Sequence, residues 1–134
     1  MGPIIDHINR YVSDTDIFIE FYQNALGYEL INRGIKSNGK NFAILKGLGH
    51  ELFISEKDNF TIDEINNFRH IGYSVSNVEE LLEQLITNGY IENETKIIVK
   101  QFSKQFYIKD PDGFKIDLIE WTNKNNFYNS FLHK

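Results

Sequence analysis

The chain has 134 residues, 41% of them hydrophobic and 14% aromatic, with no cysteine and a formal charge of −5. That length fits one ordinary domain, and that composition supplies a real core and argues against disorder. The acidic balance, with no basic cluster to offset it, excludes nucleic acid and anionic membrane as expected partners, and the absence of cysteine removes disulfide scaffolds, thiolate metal sites and thiol nucleophiles.

Residues 4–12 read as a strand. Ser13 or Asp14 then caps a helix to about Leu26, in which Ile17, Phe18, Phe21, Tyr22, Ala25 and Leu26 form one apolar stripe. Gly27 follows where a left-handed residue commonly ends a helix. Residues 28–32 read as a second strand, 34–40 as a turn rich in Gly, Ser and Asn, and 41–46 and 50–55 as the rest of a meander. Residues 56–67 are a polar connector with room for one helical turn. The pattern then restarts with a strand over 69–75 and a capping box of Ser76 and Glu79. A second amphipathic helix follows, built on Val78, Leu81, Leu82, Leu85 and Ile86 and closed by Gly89. Residues 96–100, 105–109 and 115–121 are three further strands. Phe127, Tyr128, Phe131 and Leu132 in the tail have helical spacing and should pack on the body or on a partner chain. No apolar run approaches the roughly 20 residues of a membrane helix, and the N-terminus lacks a signal-peptide core. A cytoplasmic protein is the expectation.

The two halves repeat. His7-Ile8 matches His70-Ile71, and Val12-Ser13-Asp14 matches Val75-Ser76-Asn77, both 63 residues apart. Gly27-Tyr28 matches Gly89-Tyr90, Phe42 matches Phe106, Ile44 matches Ile108, and Glu51-Leu52 matches Asp117-Leu118. Two copies of one supersecondary unit, related by a pseudo-two-fold, account for this. The expected fold class is α+β: two paired βαβββ modules, about residues 4–56 and 69–121, forming a cupped mixed sheet with helices on its outer face. With the tail over 122–134 they make one domain spanning 1–134.

Strand side chains alternate between faces. Ile71, Tyr73 and Val75 share the helix side of their strand, which sends His70 to the other face. His7 likewise points away from the helices with Ile5, Asn9 and Tyr11, although Arg10 spoils the apolar side of that strand. Glu51 shares a face with Phe53 and Ser55, and Asp117 with Lys115, Ile119 and Trp121. Glu120 has the opposite parity and ranks lower. Each half thus offers one imidazole and one carboxylate, a nitrogen and oxygen set suited to a divalent ion such as nickel, zinc, manganese, cobalt or ferrous iron. The rival reading is a metal-free cup closed by hydrogen bonds between His and carboxylate.

Asp6-His7-Ile8, Phe21-Tyr22, Ala25-Leu26-Gly27-Tyr28, Arg69-His70-Ile71 and the run from Tyr107 to Glu120 together resemble the vicinal oxygen chelate superfamily. That superfamily holds glyoxalase I, fosfomycin-modifying thiol transferases, extradiol dioxygenases and bleomycin-binding resistance proteins. The resemblance covers nearly the whole chain up to Trp121 and is nearest to small bacterial glyoxalase I. It implies His7, Glu51, His70 and Asp117 as metal ligands, Glu51 and Asp117 as the catalytic carboxylates, and a homodimer. Asn9, Tyr11, Phe53 and Tyr107 would line the substrate site. The implied activity is a glyoxalase-like lyase or isomerase acting on a thiohemiacetal of a 2-oxoaldehyde through a metal-bound enediolate. Alternatives are a metal-free drug-binding protein of the bleomycin-resistance type and a fosfomycin-type thiol transferase, which uses two His and one Glu and has no ligand at the Glu51 position. The chain departs from the glyoxalase pattern in carrying Asp117 where Glu is usual, a side chain shorter by roughly 1.5 Å, and in lacking a cup-facing Arg after His7. It departs from the transferases at Lys100-Gln101-Phe102-Ser103, where a potassium loop is expected.

Overall fold

The computed structural model describes residue 2, residues 5–62 and residues 69–132, the side chains of 131 and 132 excepted. Its elements run β1 (His7–Val12), α1 (Thr15–Leu26), β2 (Glu29–Ile35), β3 (Asn41–Lys46), β4 (Glu51–Glu56), β5 (Ile71–Ser74), α2 (Val78–Thr87), β6 (Ile98–Val99), β7 (Ser103–Lys109), β8 (Lys115–Trp121) and α3 (Lys124–Leu132). The chain divides into two compact units. Unit 1 comprises Met1–Asp63 with Asp110–Gly113, and unit 2 comprises Glu64–Lys109 with Phe114–Lys134.

In unit 1 the sheet order is β1-β4-β3-β2, with β1 parallel to β4 and the other neighbours antiparallel. The Asp14 carboxylate accepts from the backbone N–H of Ile17 at 3.1 Å and starts α1, while Gly27, at φ 72°, ends it in the left-handed conformation. Of the expected stripe the helix buries Phe18, Phe21, Tyr22 and Ala25, Ile19 joins them while Ile17 is exposed, and the sheet contributes Val12, Ala43, Leu45, Leu52 and Ile54 to the same core. Each such large side chain stabilises the fold by roughly 1.5–3 kcal/mol over leaving it in water. Arg10, the residue that breaks the apolar alternation of β1, is accommodated by an ion pair. Its Nη1 lies 2.7 Å from Asp110 Oδ2, and its guanidinium carbon 5.4 Å from the centre of the Phe18 ring.

In unit 2 the order is β5-β8-β7-β6, with β5 parallel to β8. Val78, Leu85, Phe106, Ile116 and Leu118 are buried there. In α3, Phe127 sets its ring 4.9 Å from that of Trp121 and 6.4 Å from that of Phe102, so the tail packs on its own unit. The side chains of Phe131 and Leu132 lie outside the described residues.

Several sequence expectations need correction. Strand β2 runs on to Ile35, past Gly34, because Gly34 pairs with Phe42 in the ladder and its bare Cα leaves room for that ring, 3.0 Å from where a Cβ would stand. The strand expected over 96–100 shortens to Ile98–Val99, and β7 starts earlier, at Ser103. Helix α2 is capped by Asn77, whose side chain accepts from Glu80 N at 3.1 Å, and not by Ser76 with Glu79. Glu79 instead pairs with Lys104 at 2.6 Å. Ser13 does not cap α1 but donates its N–H to Asp112 at 3.0 Å. Ile4 and residues 63–67 lie outside the described residues.

The hydrogen-bond ladder also revises the repeat. Ile8 pairs with Leu52 and Ile71 with Ile116, so β8 aligns with β4 two residues away from the offset expected from Glu51-Leu52 and Asp117-Leu118. By the same ladder Ala43, opposite Ile54, corresponds to Phe106, opposite Leu118. Phe42 is therefore not the counterpart of Phe106, and Ile44 is not the counterpart of Ile108. This alignment exposes a pair that sequence comparison overlooked. Glu56 accepts from Thr15 N at 3.3 Å and Thr15 Oγ1 at 3.0 Å, and Glu120 accepts from Val78 N at 2.8 Å. In each unit a glutamate at the end of the strand beside the first one (Glu56) or one residue before it (Glu120) accepts from the start of that unit's helix.

The Asn41 amide first, then Thr15, hold the Glu56 carboxyl below the usual glutamate range. A lowered folded-state value means that the contribution is complete at neutral pH and fades as pH falls below the unfolded value of about 4.3. Glu56→Ala should destabilise by about 1 kcal/mol at pH 7, as loss of a helix cap does. The deficit should shrink at pH 3, which urea unfolding at the two pH values checks.

Candidate functional site

Within unit 1, β1 turns His7, Asn9 and Tyr11 to one face, and the ladder sets them opposite Glu51, Phe53 and Ser55 respectively. His7 Nδ1 meets the Asp6 carboxylate at 2.8 Å, and its ring stacks on Phe53 with centres 4.2 Å apart and planes 12° apart. A proton held on Nδ1 by a carboxylate leaves the Nε2 lone pair for a ligand. Tyr11 lies with Lys57 Nζ 4.9 Å above its ring and Phe60 6.2 Å away. Beside it, Lys36 Nζ donates to Ser55 Oγ at 2.5 Å. Glu51 is half-buried next to His7.

Within unit 2, His70, Tyr107 and Asp117 come together. His70 Nε2 is 4.0 Å from Asp117 Oδ2, longer than a hydrogen bond, and the rings of His70 and Tyr107 meet edge to face at 5.9 Å. Asp117 is only 8% exposed, and burial pushes its carboxyl above the usual aspartate range while His70, Gln105 and Lys100 pull it back. Gln105, which sequence reasoning did not single out, donates from Nε2 to both Asp117 oxygens at 3.1 Å and to Tyr107 Oη at 3.1 Å. Its sole signal in the sequence is a position two residues before Tyr107 on the same strand face. Glu120, by contrast, is occupied at the start of α2, in agreement with its low rank.

The ladder places Asp117 opposite Gly72 and Phe53 opposite Asn9, each two residues beyond its histidine. The structural counterpart of Asp117 is therefore Phe53, and Glu51 stands two positions earlier on the same face. Among the described residues, neither unit by itself gathers three or more His, Asp or Glu in a ligating arrangement. The residues nonetheless fit a divalent ion in one respect. His70 Nδ1 is buried with no hydrogen-bond partner among the described residues. The other ring nitrogen, Nε2, faces Asp117 Oδ2 at 4.0 Å, so a nitrogen and an oxygen donor stand side by side with no hydrogen bond closing the gap.

The family model for the Glyoxalase/Bleomycin resistance protein/Dioxygenase superfamily matches residues 4–118. The chain belongs to this superfamily. As a superfamily member it is 30% identical over 121 residues to lactoylglutathione lyase of Salmonella typhimurium, covering 85% of this chain and 90% of that one. It is 31% identical over 129 residues to metallothiol transferase FosB of Staphylococcus epidermidis, covering 90% and 84%. A glyoxalase family protein from Enterococcus faecalis superposes with a TM-score of 0.74 at 26% identity, over 87% of this chain and 97% of that one. The α+β fold with two four-stranded mixed sheets agrees with that likeness. Among the described residues no helix is long and apolar enough to cross a membrane.

Proposed function

We propose that this superfamily member is a metal-dependent enzyme acting on a small molecule, glyoxalase-like in presenting two neighbouring substrate oxygens to a divalent ion. The observation that carries this reading is the His70–Asp117 pair, an imidazole Nε2 and a nearly buried carboxylate oxygen 4.0 Å apart with no hydrogen bond between them. His7, with its Nδ1 proton committed to Asp6, His70 and Asp117 are the ligands. The bound ion would supply Lewis-acid polarisation of those oxygens. Glu51 keeps its carboxylate free for general base work, takes the carbon-bound proton of a thiohemiacetal of a 2-oxoaldehyde, and returns it to the adjacent carbon. Tyr107 donates a hydrogen bond to a substrate oxygen, and Asn9 and Tyr11 are further substrate contacts. Lactoylglutathione lyase among the relatives supports the lyase reading.

A second reading is favoured by Phe53. With a phenyl ring where unit 2 carries its carboxylate, the ligand set is two imidazoles and one carboxylate. The resemblance associates that set with thiol transfer, and a metallothiol transferase is among the relatives. Addition of a thiolate to an electrophile removes no carbon-bound proton, so Glu51 is dispensable to it. Glu51→Gln separates the two. Under the lyase reading, formation of the 2-hydroxyacyl thioester from methylglyoxal and thiol should fall about 10²–10⁴-fold, the usual worth of a general base. Unchanged thioester formation overturns the role of Glu51. No thioester from wild-type protein with any of several thiols, but transfer of a thiol to an epoxide, establishes the second reading.

A further inference from the structure

We infer that Gln105 is a positioning residue: its side-chain amide locks the Asp117 carboxylate and the Tyr107 hydroxyl into one arrangement, so that metal ligand and substrate contact are set together. The inference rests on the metal-dependent reading above. Gln105 is 4% exposed, and a buried amide of that kind is kept only with its hydrogen bonds made. An ionised carboxylate only accepts hydrogen bonds, which identifies the group facing Asp117 as the amide nitrogen and not its oxygen. That nitrogen carries two hydrogens. With both carboxylate oxygens and the phenol oxygen at 3.1 Å, one hydrogen is shared by the carboxylate and the other goes to Tyr107. The phenol therefore accepts from Gln105 and keeps its own hydrogen to donate elsewhere. Its ring is fixed from two further directions, by Lys115 Nζ at 5.2 Å and by the His70 ring at 5.9 Å.

The repeat supplies the control that a single fold lacks. Tyr107 pairs with Asp117 and Gln105 with Ile119, while in unit 1 Ile44 pairs with Phe53 and Phe42 with Ser55. The three places that hold Gln105, Tyr107 and Asp117 in unit 2 thus hold Phe42, Ile44 and Phe53 in unit 1. One scaffold accepts three apolar side chains there, so the fold itself does not demand the polar network. What the network adds is a fixed carboxylate and a directed hydroxyl.

The test is Co²⁺ binding by the full chain, read by competition with a chelator and by the visible absorption of the bound ion. Gln105→Leu should weaken Co²⁺ binding about tenfold or more, as loss of a residue that orients a ligand does, and should alter the absorption bands, because the carboxylate is no longer held. A folded Gln105→Leu protein with wild-type affinity and bands overturns the inference. If that variant does not fold, Gln105→Met decides. Methionine keeps the length of the side chain and removes the donor, so weaker binding with altered bands supports the positioning role and unchanged binding rejects it. Wild-type protein that binds no Co²⁺ removes the metal-dependent reading itself, and the inference falls with it, an outcome distinct from a defect confined to the variants.

Discussion

Asp110→Ala should destabilise the protein by about 3–5 kcal/mol, the usual cost of stripping one partner from a buried ion pair. The Asp110 side chain is fully buried and the Arg10 side chain is 13% exposed. Asp110 Oδ2 also accepts from the Tyr22 hydroxyl at 3.1 Å, and Oδ1 accepts from Asp112 N at 3.0 Å. Tyr22 is drawn into the same network. Burial first, and then the Asp110 charge, push its phenol far above the usual tyrosine range, so it stays a neutral donor. Removing the carboxylate takes the Asp110 counter-charge from a largely buried guanidinium against Phe18, and the penalty is that lost compensation more than the lost bond. Replacing both partners by hydrocarbon, as Arg10→Met with Asp110→Leu, should recover most of the loss. Tyr22→Phe, which deletes the bond donated to Asp110 and the one accepted from Arg10 Nη1 at 3.2 Å but leaves the ion pair, should cost about 1–3 kcal/mol. Urea unfolding followed by circular dichroism distinguishes the three. A cost for Asp110→Ala under about 1 kcal/mol, no more than a single neutral hydrogen bond, contradicts this account.

The second large effect concerns metal. Protein prepared without chelators should contain one divalent ion per proposed site, and the double variant His7→Ala with His70→Ala should contain none above background. Both imidazoles leave the set at once, so one carboxylate is all that remains of the proposed ligands. Nitrogen ligands are what hold nickel, zinc or cobalt at neutral pH against water and buffer. Turnover should vanish with the metal while the unfolding midpoint changes little, because both histidines stand on the face turned away from the helices, outside the buried core. Elemental analysis with a parallel melt checks this. Stoichiometric metal retained by the double variant removes both histidines from the site, and no metal in the wild-type protein points to a metal-free binding protein.

The helices and most strands were legible because their signals are local. The stripe of Phe18, Phe21, Tyr22 and Ala25, the cap at Asp14 and the terminal Gly27 all lie within fifteen residues of one another, and the structure returns α1 almost as expected. Strands β3 and β8 have the expected bounds. Arg10 was the opposite case. It reads as a flaw in β1 because its partner Asp110 is 100 residues away in the chain. The repeat was legible in existence but not in register. A slip of two residues keeps every side chain on its own face, so the alternation of Leu52 with Ile54 and of Ile116 with Leu118 fits either alignment. The acids then drew Glu51 onto Asp117. Only the ladder, with Ile71 opposite Ile116, places Phe53 there. Matching Phe42 to Phe106 failed differently. It joined a half-exposed ring on one face to a fully buried one on the other, an error of parity that alternation could have flagged.

The twin glutamates have a consequence for building with this scaffold. Glu56 and the helix it fastens belong to one half, and Glu120 and its helix to the other, so each half carries its own clasp and borrows none. Sequence blocks exchanged between the halves keep both clasps when they are cut outside residues 12–56 and 75–120, but the second block also carries off Asp110 and Asp112, the partners of Arg10, Tyr22 and Ser13. A graft that separates a helix from its glutamate brings in a helix whose first amides have lost their acceptor.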